Sequence, residues 1–140
     1  MTLKNVVDSL IRIALTQHNV RSAGYGDLYK DLLADPSIKW DVFYITPNTM
    51  QAEDDFDRFN LNLYYVSRLE DTDGTNMLQV HSIGKEILDN IVKIFCETYD
   101  CDVYGTEQYT YFTQRFSDLC AGLYLTVSLE VPKSICIDEE

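Results

Sequence analysis

The sequence predicts an α+β domain: a mainly antiparallel sheet of about four strands, with two principal helices packed on one face. Three observations predict it. Near the C-terminus, Tyr109 to Phe116 and Gly122 to Val131 alternate with period two; Leu123, Leu125, Val127, Leu129 and Val131 point one way and Tyr124, Thr126, Ser128 and Glu130 the other. Earlier in the chain, Ile38 to Thr46 and Phe56 to Arg68 are rich in aromatic and β-branched residues. Two longer segments repeat apolar residues at three-and-four spacing. The resulting order of helix, two strands, helix, two strands suits helices laid over the apolar side of an antiparallel sheet.

The first helix is expected from a Thr2 cap to about Gln17, with Leu3, Val6, Val7, Leu10, Ile13 and Ala14 forming its stripe. Gly24-Tyr25-Gly26-Asp27 reads as a turn, followed by a short helical or irregular piece around Leu28 to Leu33. In the strand from Ile38 to Thr46, Trp40, Val42, Phe43, Tyr44 and Ile45 supply the strand-forming side chains, and Pro47-Asn48 ends it. Thr49 to Asp55 is then a solvated hairpin connection carrying Glu53, Asp54 and Asp55 in series, and Asp57 extends that negative patch. Along Phe56 to Arg68, Phe59, Leu61, Leu63 and Tyr65 share one face opposite Asn60, Asn62, Tyr64 and Val66. The partly aromatic second face points to a cover there too.

After the turn at residues 71–76, a second helix is expected from about Met77 to Tyr99. Its stripe is Val80, Ile83, Gly84, Ile87, Leu88, Ile91, Ile94 and Phe95, with Asp73 or Thr75 as cap. Cys101 to Gln108 returns the chain to the last strand pair. Residues 1–132 form a single domain and 133–140 an acidic C-terminal tail expected to fray. No repeat or linker interrupts the domain.

At 140 residues and 46% hydrophobic content, the chain supports one core. A domain of this size buries roughly 68–70% of its unfolded surface. Eleven Lys and Arg against 23 Asp and Glu leave a net charge of -12, which repels phosphate backbones and anionic membranes. That charge disfavours tight wrapping of DNA. It suits either a passage through which DNA slides without sticking or a surface that imitates DNA for a basic partner. Met1 to Ile13 lacks the basic and continuous apolar parts of a signal peptide, and no apolar run nears the ~18 residues of a membrane span. The expected place of synthesis is the cytosol, with Cys96, Cys101, Cys120 and Cys136 as reduced structural thiols.

No catalytic, cofactor-binding or metal-ligating set stands out. Asp71-x-Asp73-Gly74 begins like a calcium loop but lacks the third oxygen ligand and the terminal bidentate glutamate; helix capping accounts for it. Gly24-x-Gly26 has no third spaced glycine and no following Lys-Ser/Thr to make a phosphate loop. His18 and His81 lie in no nucleophile motif, and carboxylates are too abundant to single out a hydrolytic pair. Of the ten tyrosines, Tyr64, Tyr65, Tyr99, Tyr104, Tyr109, Tyr111 and Tyr124 concentrate on the sheet and its entrances, where amphipathic rings serve strand packing or a shared subunit edge.

Several segments together resemble the tail terminator or tail-completion family of tailed bacteriophages. They are the amphipathic first helix, Gly24-Tyr25-Gly26-Asp27-Leu28, the strand Trp40-Asp41-Val42-Phe43-Tyr44-Ile45, Asn60-Leu61-Asn62-Leu63 leading to the long helix, and Phe116 to Gly122 before Leu123 to Pro132. The resemblance spans most of residues 1–132. It implies a non-enzymatic α+β subunit that forms a ring, six-fold in tails and twelve-fold beside the portal, around a DNA channel. Its partners are then identical copies, portal or adaptor proteins and tail proteins, at the head–tail junction of a virion assembled in host cytoplasm; DNA passes without sequence-specific binding. The acidic loop and tail fit a neck ring of a short-tailed phage as well. On this reading Phe59, Leu61, Leu63, Tyr65, Tyr109 and Tyr111 are expected at subunit interfaces, and Glu53, Asp54, Asp55 and Asp57 in docking or at the lumen. The rival reading, from the charge alone, is a small DNA-mimicking inhibitor of a host nucleic-acid enzyme.

Overall fold

A computed structural model describes residues 1–28, 30–31, 38–69, 74–115 and 119–133, with side chains throughout except at 75, 114 and 115. Among these residues the chain runs α1 (Leu3–Ala14), β1 (Ser22–Tyr25), β2 (Val42–Ala52), β3 (Phe56–Arg68), α2 (Gly74–Tyr99), β4 (Asp102–Val103), β5 (Gln108–Arg115) and β6 (Leu119–Pro132). The fold is α+β with a mixed sheet. β2, β3 and β6 are its long central strands, and β6 shares its far edge between β5, along residues 119–126, and β4, at 129–130. Every pairing is antiparallel except β1 with β2.

The helices form where the sequence supplies both stripe and cap. At α1 the Asn5 N–H donates to Thr2 Oγ1 at 3.2 Å and the Thr2 N–H to Asn5 Oδ1 at 3.0 Å, so each satisfies a backbone or side-chain group of the other. α2 ends where Asp100 takes φ +53 and the Cys101 N–H reaches back to the Cys96 carbonyl at 3.0 Å, a left-handed helix stop. Asp tolerates that conformation better than most residues other than glycine.

Val6, Val7, Leu10 and Ala14 of α1 and Leu88, Ile91 and Phe95 of α2 are buried on the face formed by odd-numbered residues of β3 and β6. At Gly84 the long helix comes closest to the sheet. A Cβ there would lie 2.3 Å from Leu123 Cδ2 and 2.6 Å from Tyr65 Cδ2, so only glycine permits this approach. The opposite face carries a second, smaller cluster of Val42, Tyr44, Tyr64, Val66 and Cys120, covered by Leu28, Ile38, Trp40 and Phe112. The aromatic second face of β3 is thus sheltered at one end.

Four expectations need correction. The sheet has six strands, because β1 and β4 have four and two residues, too few to display a period. Gly24 lies within β1, where its missing side chain makes room for the Tyr44 ring, and Gly26, at φ +135, alone forms the turn. β2 starts later than expected and continues through Pro47, with a bulge between Pro47 and Thr49. Ile45 accepts from the Gly26 N–H on the outer side of β2, so the strand's period places the Pro47 nitrogen on that side, where no paired strand needs a donor. Finally, Ile83 and Ile94 are 39% and 38% exposed, on the flank of α2 rather than on its buried stripe.

Candidate assembly surfaces

The β2–β3 hairpin brings the predicted acidic residues to one end of the molecule. The Glu53 N–H donates to the Phe56 carbonyl at 2.9 Å and closes the turn, leaving Glu53, Asp54 and Asp55 exposed. Asp57 is half-buried, 3.9 Å from Lys133 Nζ, while the Lys133 N–H donates to the Asp55 carbonyl at 3.1 Å. The end of β6 is therefore tied to the hairpin tip. Asp102 pairs with Glu130 in register at the same end, adding two carboxylates. Arg58 offsets part of this charge: it meets Glu130 at 3.0 Å and lies 3.7 Å from the Tyr104 ring centre.

The predicted interface set divides. Phe59, Leu61, Leu63 and Tyr65 are buried in the chain's own core, so their side chains do not meet a neighbour; the alternation that singled them out marks the face under the helices. Tyr109 is half-buried and donates its hydroxyl to Asp89, which also receives Lys85. Burial, then the Asp89 hydrogen bond, pushes the Tyr109 phenol above its ordinary range. Tyr111 is 58% exposed, with its ring centre 4.8 Å from that of His81. Of the six, Tyr111 most fully presents a side chain to solvent.

Two sheet edges are open among the described residues. β1 covers β2 as far as Ile45 and leaves the outer edge from Thr46 to Ala52 unpaired; β5 pairs with β6 alone. Beside the open part of β2 lies an apolar notch of about 160 Å³, walled by Leu3, Pro47 and Met50 and floored by Phe59 and Leu61. The outer face of the sheet at this end is a polar lattice. Asn60 Nδ2 donates to Thr49 Oγ1 at 2.8 Å and Gln51 Oε1 at 2.9 Å, Ser128 donates to Asn60 Oδ1, and Thr126 Oγ1 donates to Asn62 Oδ1 at 3.0 Å. Sequence reasoning missed the notch and the lattice as surfaces, because both depend on cross-strand register.

A cavity of about 490 Å³ between α2, β4 and the approach to β5 is lined by Asp89, Lys93, Cys96, Cys101, Asp102 and Glu107. Burial raises both thiols, Cys96 to about 11 and Cys101 to about 12, with nearby carboxylates adding to the effect. Neither thiol is a ready nucleophile at neutral pH. Glu107 is also raised, by burial first and then by Asp89. Among the described residues no group of three or more His, Cys, Asp and Glu could hold a metal ion, and no helix is long and apolar enough to cross a membrane. Residues 71–73, with their calcium-like spacing, and Cys136 lie outside the described residues. His18 borders a shallow polar pocket with Arg21 and Asp41, while His81 Nε2 lies 3.3 Å from the Phe112 carbonyl oxygen at the edge of β5. No protein-family model matches the chain, and no curated protein sequence is significantly similar to it.

Proposed function

We propose that this chain is a structural subunit of a homo-oligomeric ring at the head–tail junction of a tailed bacteriophage, either a tail terminator or a neck ring, with a central channel for DNA. The observation that carries the reading is the pair of edges left open among the described residues, β2 beyond Ile45 and the whole of β5, on opposite sides of one sheet. Two different surfaces on opposite sides of a subunit make heterologous contacts, and such contacts close into rings when the rotation between copies closes. The net charge of -12 suits a lumen that DNA must traverse without adhering. The acidic hairpin tip is the docking or lumen element of this reading, and Tyr111 the interface residue of the predicted set that remains accessible.

Native mass spectrometry and negative-stain imaging of the full chain test the proposal. The expected result is an annulus of six or twelve copies. A monomer at every concentration, both alone and with portal and tail proteins, overturns it. The DNA-mimic reading has only the net charge behind it; the described acids are dispersed over many elements, from Asp8 in α1 through the Glu53–Asp55 tip to Glu130 in β6.

A further inference from the structure

At the end of α2 the chain places two thiols in one recess. The left-handed turn at Asp100 directs the Cys101 N–H to the Cys96 carbonyl, five residues back, at 3.0 Å. Covalent geometry on either side of that bond caps the Cα–Cα separation at about 7 Å, and any bend in the path shortens it into the ~4.4–6.8 Å span of disulfides. This form of helix stop also brings the side chains of its two bonded residues together. Cys96 is half-buried and Cys101 only 6% exposed, and both line the cavity of about 490 Å³ between α2, β4 and the approach to β5. Cys120 lies in the cluster on the opposite face of the sheet, so it does not compete for either thiol. Among the described residues no third ligand joins the pair to make a metal centre.

The walls select the kind of reagent that enters. Asp89, Asp102 and Glu107 line the cavity against one cation, Lys93, while Lys85 lies outside the lining and holds Asp89 at 2.5 Å. Beyond the lining, Asp100 and the Met1 α-amino group act on Cys101 with opposite signs. The lining therefore carries more negative than positive charge. It attracts a small cationic disulfide such as cystamine and repels an anionic one such as glutathione disulfide. Cys96, the more exposed of the two thiols, is the one that an entering disulfide meets first.

We infer that Cys96 and Cys101 form a dithiol site for small cationic disulfides, which it reduces while closing a bridge between the end of α2 and the start of β4. In the first step the Cys96 thiolate attacks one sulfur of the small disulfide, forming a mixed disulfide and expelling a thiolate that takes up the proton Cys96 gave away. In the second, the Cys101 thiolate attacks the Cys96 sulfur, closes the Cys96–Cys101 bond and expels the other small thiolate, which is protonated in turn. The two cysteines lose two electrons and the small disulfide gains them. Burial, with nearby carboxylates, raises both thiols, so each step is slow at neutral pH and quickens as pH rises. The bridge fixes the turn next to Tyr99, whose hydroxyl meets Ser9 and Arg12 of α1, and it does not depend on ring assembly.

Peptide mapping of the full chain carrying Cys136→Ser tests the site. Trypsin cuts after Lys93 and Arg115, so residues 94–115 hold both cysteines in one peptide. After treatment of the folded protein with cystamine, that peptide is expected to lack two hydrogens, to resist alkylation and to carry no second peptide. The rate should rise about tenfold per pH unit from about pH 7 to about pH 8.5, following the thiolate fraction. With each reagent normalised to its rate on a free cysteine peptide, cystamine should outpace glutathione disulfide by about threefold or more at about 0.01 M salt, and the gap should close at about 1 M. Cys101→Ser in the same background should stop at a cysteamine adduct on Cys96. Both cysteines remaining open to alkylation, or a link to another peptide, overturns the site. Equal normalised rates at low salt overturn the preference for cationic disulfides, and a Cys101→Ser protein without an adduct overturns the order of attack.

Discussion

At Tyr65 the ring belongs to the core while the hydroxyl donates to the Asp41 carboxylate, which also receives Ser67 Oγ at 2.5 Å. Tyr44 repeats the arrangement with Asp31, and Tyr109 with Asp89. Burial, followed by the carboxylate hydrogen bond, raises all three phenols above the usual value of 10. A phenol raised on folding contributes stability that is fully present below its unfolded pKa and is lost as pH climbs through the folded one. Unfolding should therefore become easier above about pH 10, and Tyr65→Phe should flatten that dependence while costing about 1–3 kcal/mol at neutral pH. Urea titrations at pH 7 and pH 10.5 check both parts. A parallel loss in parent and variant would remove Tyr65 from the account.

At the scale of elements, much was legible because the periods are long. The two helices, the acidic hairpin tip, and the alternation of β3 and β6 follow from side-chain spacing that survives folding unchanged. Where the reading failed, the deciding information was tertiary. β1 and β4 exist because long neighbours offer them hydrogen bonds, and β2 continues past Pro47 because the proline nitrogen faces an edge unpaired among the described residues. The four buried members of the interface set show the same limit: alternation finds the apolar face but cannot say whether a helix or another subunit covers it. Gly84 gives the element-scale test. Alanine would gain about 1 kcal/mol of helix propensity, yet its Cβ meets Leu123 and Tyr65, so Gly84→Ala should lose about 1–3 kcal/mol net by chemical denaturation. A stabilised variant would mean that α2 can lift from the sheet at little cost. Conversely, Glu53→Gln, Asp54→Asn and Asp55→Asn together should leave the melting temperature close to that of the parent, since all three are exposed; under the proposed ring function, any effect should appear in assembly instead.

For the molecule as a whole, charge opposes what the open edges favour. Copies carrying -12 each repel at long range, and added salt shortens that reach, from ~30 Å at about 0.01 M to ~8 Å at about 0.15 M. Assembly of the proposed ring is therefore expected to strengthen over that interval, as sedimentation velocity would show; weakening would mean that ion pairs hold the copies together. Folding itself should respond far less, for a reason that lies in the tyrosines. A phenol satisfies the hydrogen-bonding demand of a carboxylate without contributing a counter-charge, as at Asp31 and Asp41, whereas Asp89 also receives Lys85. A carboxylate held by a phenol needs no cation beside it, and a protein with eleven Lys and Arg against 23 Asp and Glu can still hold its shape.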